Sequence, residues 1–246
     1  LFNTLREKFK NYKPETNSMP FHTRLLGKDR MALFSFIHSL NTSFGTAIFE
    51  NLVIEIGKER FKKVDKQVKA ESIITSEAQK VINDIIDNLR SANVKPDKHK
   101  ETNMIKKVCR EGKTKEIKLT KIDIYLEDFN NNIYLIDLKT AKPNKGEFQN
   151  YKKTLLEWTA TTLYKNYNSK VYSLIAIPYN PYAPQPYERW TLAGMLDLDK
   201  ELKVAEEFWD FIGGENSYNY ILLCFEEVGI EMREEIDEYF SKFKDM

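Results

Sequence analysis

Between Ile122 and Lys139 the hydrophobic period is two, and this constrains the fold more than any other feature of the chain. Ile122, Ile124 and Leu126 alternate with Asp123, Tyr125 and Glu127; after Asn130-Asn131-Asn132 a second run extends from Ile133 to Lys139. Alternation sends successive side chains to opposite faces of a strand, and three consecutive asparagines favour a turn, so the segment reads as a β-hairpin. The same period puts Ile133, Leu135, Asp137 and Lys139 on one face of the second strand, with Ile136 and Leu138 on the other. An acid in so apolar a strand is costly unless it is paired or bound to a metal. Asp123 lies thirteen residues before it in the intervening count, and the hairpin folds it back towards Asp137.

Around the hairpin the pattern is helical. Residues 1–20 look irregular. Gly27 to Leu40 repeats its apolar residues near 3.6, and a second helix runs from the break at Asn41-Thr42 to about Phe61. Ser76-Glu77-Ala78-Gln79 resembles a capping box opening a third helix, which carries Val81, Ile82, Ile85, Ile86 and Leu89. Beyond the hairpin the spacing predicts a helix over about Glu147 to Tyr167, a buried strand over Val171–Ile177, a proline- and tyrosine-rich loop over Pro178–Trp190, and helices at about Glu201–Ile212, Asn219–Gly229 and Ile230–Lys244. The class is α/β: a small mixed sheet flanked by helices, with a helical N-terminal elaboration. The 246 residues read as one domain, with a helical front at about 20–92, a core at about 115–180 and C-terminal helices at about 195–246.

Charge is distributed unevenly. The formal net charge is +1, but Lys95 to Lys121 holds ten Lys/Arg against four Asp/Glu, and Lys139 to Lys170 seven against two. From Asp199 to Met246 the balance is five against fourteen. A basic middle fits a phosphate-bearing partner, and an ordinary lysine-rich solvated surface explains it as well. No apolar run approaches the roughly 18 residues of a membrane span. The chain opens Leu1-Phe2-Asn3 without a basic and then apolar leader, and the missing initiator Met points to a start further upstream. Cys109 and Cys224 make no disulfide framework, and a reducing cytoplasm is the simplest setting.

Two carboxylates converging at a strand end form a hard-oxygen site suited to Mg²⁺, and a lysine beside them can orient or deprotonate water and offset phosphate charge. Asp123, Asp137 and Lys139 supply that set. Without other information, a salt bridge between Asp137 and Lys139 on a half-exposed strand accounts for the pattern equally well.

The segments Ile122–Glu127 and Ile136–Lys142 resemble the Asp…(Asp/Glu)-x-Lys core of the restriction-endonuclease superfamily. They depart from it in lacking a proline before the first acid and in using Asp rather than the commoner Glu as the second. Phe21–Glu50 and Glu207–Glu215 are similar to blocks of TdeIII-type type II restriction endonucleases, so the resemblance covers most of the chain and is thinnest over 95–118. It implies a Mg²⁺-dependent cleavage of double-stranded DNA that leaves 5′-phosphate and 3′-hydroxyl ends. Asp123 and Asp137 would be metal ligands, with the Leu138 carbonyl a third, and Lys139 would act on the attacking water. Glu50 would complete the site from a helix, and Lys142 would touch a phosphate. A solvent-facing acid and a plain surface lysine are the alternatives for those last two. The resemblance also implies a homodimer in a prokaryotic cytoplasm, reading a GGNCC-like interrupted palindrome.

Arg189 and Trp190 close the proline/tyrosine loop, where they could read base edges or plug the core. His22, His38 and His99 are scattered without metal-ligand spacing, and no phosphate-binding glycine loop is present. Two other readings stay open: a repair or junction nuclease of the same superfamily, and a nuclease fold that only binds DNA or a protein.

Overall fold

A computed structural model describes residues 1–139, 147–188 and 192–243, apart from the side chain of Thr46. Contacts within the chain divide it into two units, one of Leu1–Phe49 with Tyr218–Met246 and one of Glu50–Ser217.

The first unit is helical: α1 (Phe2–Asn11), α2 (Pro20–Leu26), α3 (Lys28–Ser43), a π-helical turn (Phe44–Ile48), and the later helices α9 (Ser217–Glu231) and α10 (Arg233–Ser241). Residues 2–11 are thus helical, where the sequence looked irregular. The reason is tertiary: Phe9 stacks on Phe36 and Tyr239 with ring centroids 5.6 and 4.8 Å away, and Arg6 makes a bidentate contact to Glu235. Packing of this kind overrides weak local periodicity.

The second unit holds a five-stranded sheet in the order β1-β4-β5-β6-β7. Its strands are β1 (Lys63–Val68), β4 (Ile122–Glu127), β5 (Ile133–Leu138), β6 (Val171–Ile177) and β7 (Leu202–Val204); a separate pair is β2 (Ile73–Thr75) with β3 (Thr114–Glu116). The helices α4 (Phe49–Gly57), α5 (Ser76–Arg90), α6 (Lys98–Val108), α7 (Phe148–Lys165) and α8 (Glu206–Gly213) complete the unit. β1, β4 and β5 run antiparallel, and β5, β6 and β7 run parallel. The mixed α/β class expected from the sequence is therefore the fold observed, with β5, α7 and β6 as a crossover unit.

The hairpin forms where expected. Leu126 pairs with Tyr134 and Ile124 with Ile136. Its turn is organised by Asp128, whose carboxylate accepts from the Asn130 and Asn132 amides at 2.8 and 2.9 Å, while Asn131 takes a left-handed φ of 58°. Ile122, Ile124 and Leu126 are buried, and so are Ile133, Leu135 and Ile136.

Several expectations need correction. The front part is not helical throughout, because residues 63–68 and 73–75 are strands. The second helix stops at Gly57 rather than near Phe61; a Cβ at Gly57 would lie 3.3 Å from Val64, so β1 approaches the backbone there. The cap of α5 is Thr75, which accepts from the Ala78 amide, while Ser76 Oγ accepts from Lys113 instead. The segment expected as a helix from Glu201 begins with β7, and α8 starts only after Ala205, whose φ is 49°.

α7 is held by a buried charge network. Lys152 has no exposed surface and lies 2.5 Å from both Glu101 and Glu201. Lys98 meets Glu201 at 3.1 Å and donates to Ser173 Oγ at 2.7 Å. The charges cancel, but Glu101 Oε2 and Glu201 Oε1 meet their lysines without aligned hydrogen bonds. Removing one member of such a network strands its partners in a dry interior, at a typical cost of about 3–5 kcal/mol. Lys152→Met should accordingly lower the urea midpoint of unfolding by that amount of stability; a loss below about 1 kcal/mol would show that the network relaxes freely.

Candidate active site

The site is built in the second unit by β1, β4, β5, α4 and α7. β5 ends at Leu138, so Asp137 stands near the end of the strand and Lys139 follows it at the open end of the hairpin, away from the turn. Asp137 is 7% exposed, and its Oδ1 lies 2.7 Å from Lys139 Nζ. The neighbouring strand brings Asp123 alongside: the Leu138 N–H donates to Asp123 Oδ2 at 2.9 Å. That bond spans the open end of the hairpin and fixes the first carboxylate relative to the second. Lys139 is itself anchored, since its amide donates to the Ala176 carbonyl of β6 at 2.9 Å and its ammonium sits 4.8 Å above the Tyr151 ring of α7.

Glu50, in the first turn of α4, is 2% exposed rather than solvent-facing. It joins the pair through a residue the sequence did not single out. Gln67 Nε2 donates to Glu50 Oε1 at 2.7 Å and to Asp123 Oδ1 at 3.1 Å. Gln67 has a φ of 53°, although it lies within β1 between Lys66, paired with Ile124, and Val68, paired with Ile122. A non-glycine residue in that region carries strain of about 1–3 kcal/mol. A cleft of about 430 Å³ opens over Gln67, Asp123, Asp137 and Lys139, bounded also by Lys121, Glu147 and Tyr151; Glu50 reaches it through Gln67. Lys142, Arg189 and Trp190 lie outside the described residues.

The acids Asp123, Asp137 and Glu147 line the cleft beside Lys121 and Lys139, and Glu50 adds a further carboxylate next to Asp123. Burial pushes the Asp137 carboxyl up to about 6, with the charge of Asp123 adding to the rise and Lys139 opposing it. Burial likewise raises Glu50, and Asp123 adds to it while Gln67 opposes. Among the described residues no three His, Cys, Asp or Glu side chains form a ready-made metal cage. Mg²⁺ does not need one: it is ordinarily held by one or two carboxylates, waters and substrate phosphates. Asp123 and Asp137 meet that requirement in donor chemistry, and the uncompensated acids give a cation a reason to bind.

The mixed sheet with a hairpin presenting an acid and an acid-x-lysine pair, flanked by helices, is a restriction-endonuclease-like core. The chain belongs to the HinfI family of type II restriction endonucleases, whose model matches residues 1–229. The type II restriction enzyme MjaII of Methanocaldococcus jannaschii is 29% identical over 202 residues, covering 76% of this chain and 52% of that enzyme. The type II restriction enzymes HgiCII and HgiEI of Herpetosiphon aurantiacus are 25% and 23% identical over 225 and 224 residues, each match covering 80% of the relative. The chain thus spans about half the length of MjaII and four fifths of the Herpetosiphon enzymes.

The raised acid makes a stability prediction for the metal-free protein. A folded-state carboxyl near 6, against an ordinary 3.8, binds a proton between those values that the unfolded chain does not. Stability is then fully present below about pH 4 and falls as pH rises through 6, by on the order of 2–3 kcal/mol. In EDTA, Asp137→Asn should melt higher than the parent at pH 8, and the advantage should vanish by pH 4. Equal melting at pH 8 would mean that the buried charge is already compensated.

Proposed function

We propose that this chain is a type II restriction endonuclease that hydrolyses double-stranded DNA site-specifically with Mg²⁺. The observation that carries the reading is the convergence of Asp123, Asp137 and Lys139 at the open end of one hairpin, inside one cleft. A divalent ion held there would supply charge stabilisation for the scissile phosphate and acidify a water. Asp123 and Asp137 are the ligands in this reading, joined by the Leu138 carbonyl, and Glu50 completes the acidic wall. Lys139, held between Asp137 and the Tyr151 ring, orients the attacking water and donates to the phosphate as its charge develops. Water oxygen bonds to phosphorus, the bond to the 3′-oxygen breaks, and that oxygen takes a proton, leaving 5′-phosphate and 3′-hydroxyl ends.

The TdeIII-type resemblance adds a GGNCC-like interrupted palindrome as target, the superfamily-like core adds a phosphate contact from Lys142, and the arginine and aromatic at the end of the proline/tyrosine loop add base or backbone contacts from Arg189 and Trp190. The setting in this reading is the cytoplasm of a prokaryote. No helix among the described residues is long and apolar enough to cross a membrane. A palindrome read twice calls for a homodimer. The helical unit is its natural interface, because Phe21 and Leu25 on α2 are 85% and 81% exposed and Phe34 and Ile37 on α3 about half exposed. In this reading both units form one restriction-endonuclease-like domain, with the helical unit as its elaboration.

The test is single-turnover cleavage of plasmid DNA in Mg²⁺. Asp123→Ala should abolish cutting, and Lys139→Ala should slow it by about 10²–10⁴-fold, the usual worth of a positioned acid–base group. Unchanged cutting by Asp123→Ala would refute the assignment of the site. Cutting of branched rather than linear duplexes would favour a repair or junction nuclease, and binding without cutting would favour a DNA-binding module.

A further inference from the structure

Gln67 combines two features that do not belong together in an ordinary edge strand. Its backbone is left-handed, with φ 53°, in a stretch that pairs with β4 on both sides. Its side chain is exposed, so burial of its own stem does not offset that strain. What the conformation achieves is contact: one carboxamide nitrogen donates to Glu50 at 2.7 Å and to Asp123 at 3.1 Å. Asp123 is tied from its other oxygen by the Leu138 amide, so both of its oxygens are aimed. Glu50 is 2% exposed, and among the described hydrogen bonds Gln67 is its side-chain partner. The carboxamide has no freedom in its orientation, because its oxygen would repel either acid; the nitrogen must face them and the oxygen must turn away.

We propose that Gln67 is a positioning residue for a divalent cation: from a strained point on β1 it clamps the carboxylates of Glu50 and Asp123 together, so that the two acids stand assembled before the ion arrives. The inference rests on the reading of this cleft as a metal-dependent site. Two like charges brought together without the clamp would swing apart, and ordering them again would fall to the ion. The backbone supplies a way to separate this role from a structural one. Glycine occupies the left-handed region freely. At a position kept only for its local fold, Gln67→Gly should therefore be harmless or beneficial.

The experiment is calorimetric titration of the whole chain with Mn²⁺ in the absence of DNA, beside thermal melting in EDTA. Gln67→Gly should melt at or above the parent temperature and bind Mn²⁺ about tenfold more weakly, as expected for losing an oriented pair of hydrogen bonds to charged groups. Gln67→Asn tolerates the same backbone but is one methylene too short to reach both acids, and should fall between the two. Mn²⁺ binding by Gln67→Gly as tight as, or tighter than, the parent's would overturn the proposal. So would a parallel fall in melting temperature and affinity, which would make the role structural. Should the parent take up no Mn²⁺, or Asp123→Asn bind it unchanged, the reading of the cleft fails and this inference with it. Binding that Asp123→Asn destroys and Gln67→Gly leaves intact overturns the Gln67 proposal alone.

Discussion

The structure depends on holding carboxylates where an apolar interior does not want them. Asp137 sits at the end of a strand buried on both faces, with Ile136 before it and the Ile175 register partner beside it. Asp123 adds a second charge, and Lys139 pairs directly with Asp137. A mobile scaffold would relieve this by turning the acids out to water. The hairpin prevents that: its register and the Leu138 amide leave Asp123 facing Asp137, while β6 fixes Lys139 through its backbone.

The surrounding elements can be understood as supports for that arrangement. α7 brings Tyr151 under the Lys139 ammonium, and α7 is itself pinned by Lys152 between Glu101 and Glu201. The chain therefore uses charge in two opposite ways. In the Lys98/Glu101/Lys152/Glu201 network the signs balance within the protein. In the cleft a buried carboxyl stands beside a second acid: burial, more than the charge of Asp123, raises Asp137 against the pull of Lys139. Local stability given up at such a place, against a fold held firmly elsewhere, is the ordinary signature of a functional site.

The parts of the fold that declare themselves by period were legible in the sequence. The alternation at 122–127, the triple asparagine, the apolar run at 171–177 and the helical stretch after 147 all fold as their spacing indicates. Edge strands were not legible. β1 reads Lys63-Val64-Asp65-Lys66-Gln67-Val68, with only two apolar residues, because it lies at the sheet edge and is half exposed. β7 has three residues and precedes a helix whose pattern absorbed it. Missing β1 meant missing Gln67, whose carboxamide reaches Glu50 and Asp123 from a backbone angle that no sequence pattern announces. Lys152, Glu101 and Glu201 were hidden for a related reason: a charged residue on a helix reads as surface, and only the three-dimensional arrangement shows that these three face one another. Glu50 was visible as a candidate, but the same spacing suited an exposed acid, and only its burial separates the two.

The most direct measurement is digestion of a long DNA of known sequence by the purified protein, once with Mg²⁺ and once with EDTA. The account predicts discrete fragments in Mg²⁺ alone, sharing one interrupted palindrome at their ends and carrying 5′-phosphates. Cutting that persists in EDTA, a sequence-independent smear, or intact DNA under every divalent metal would contradict it.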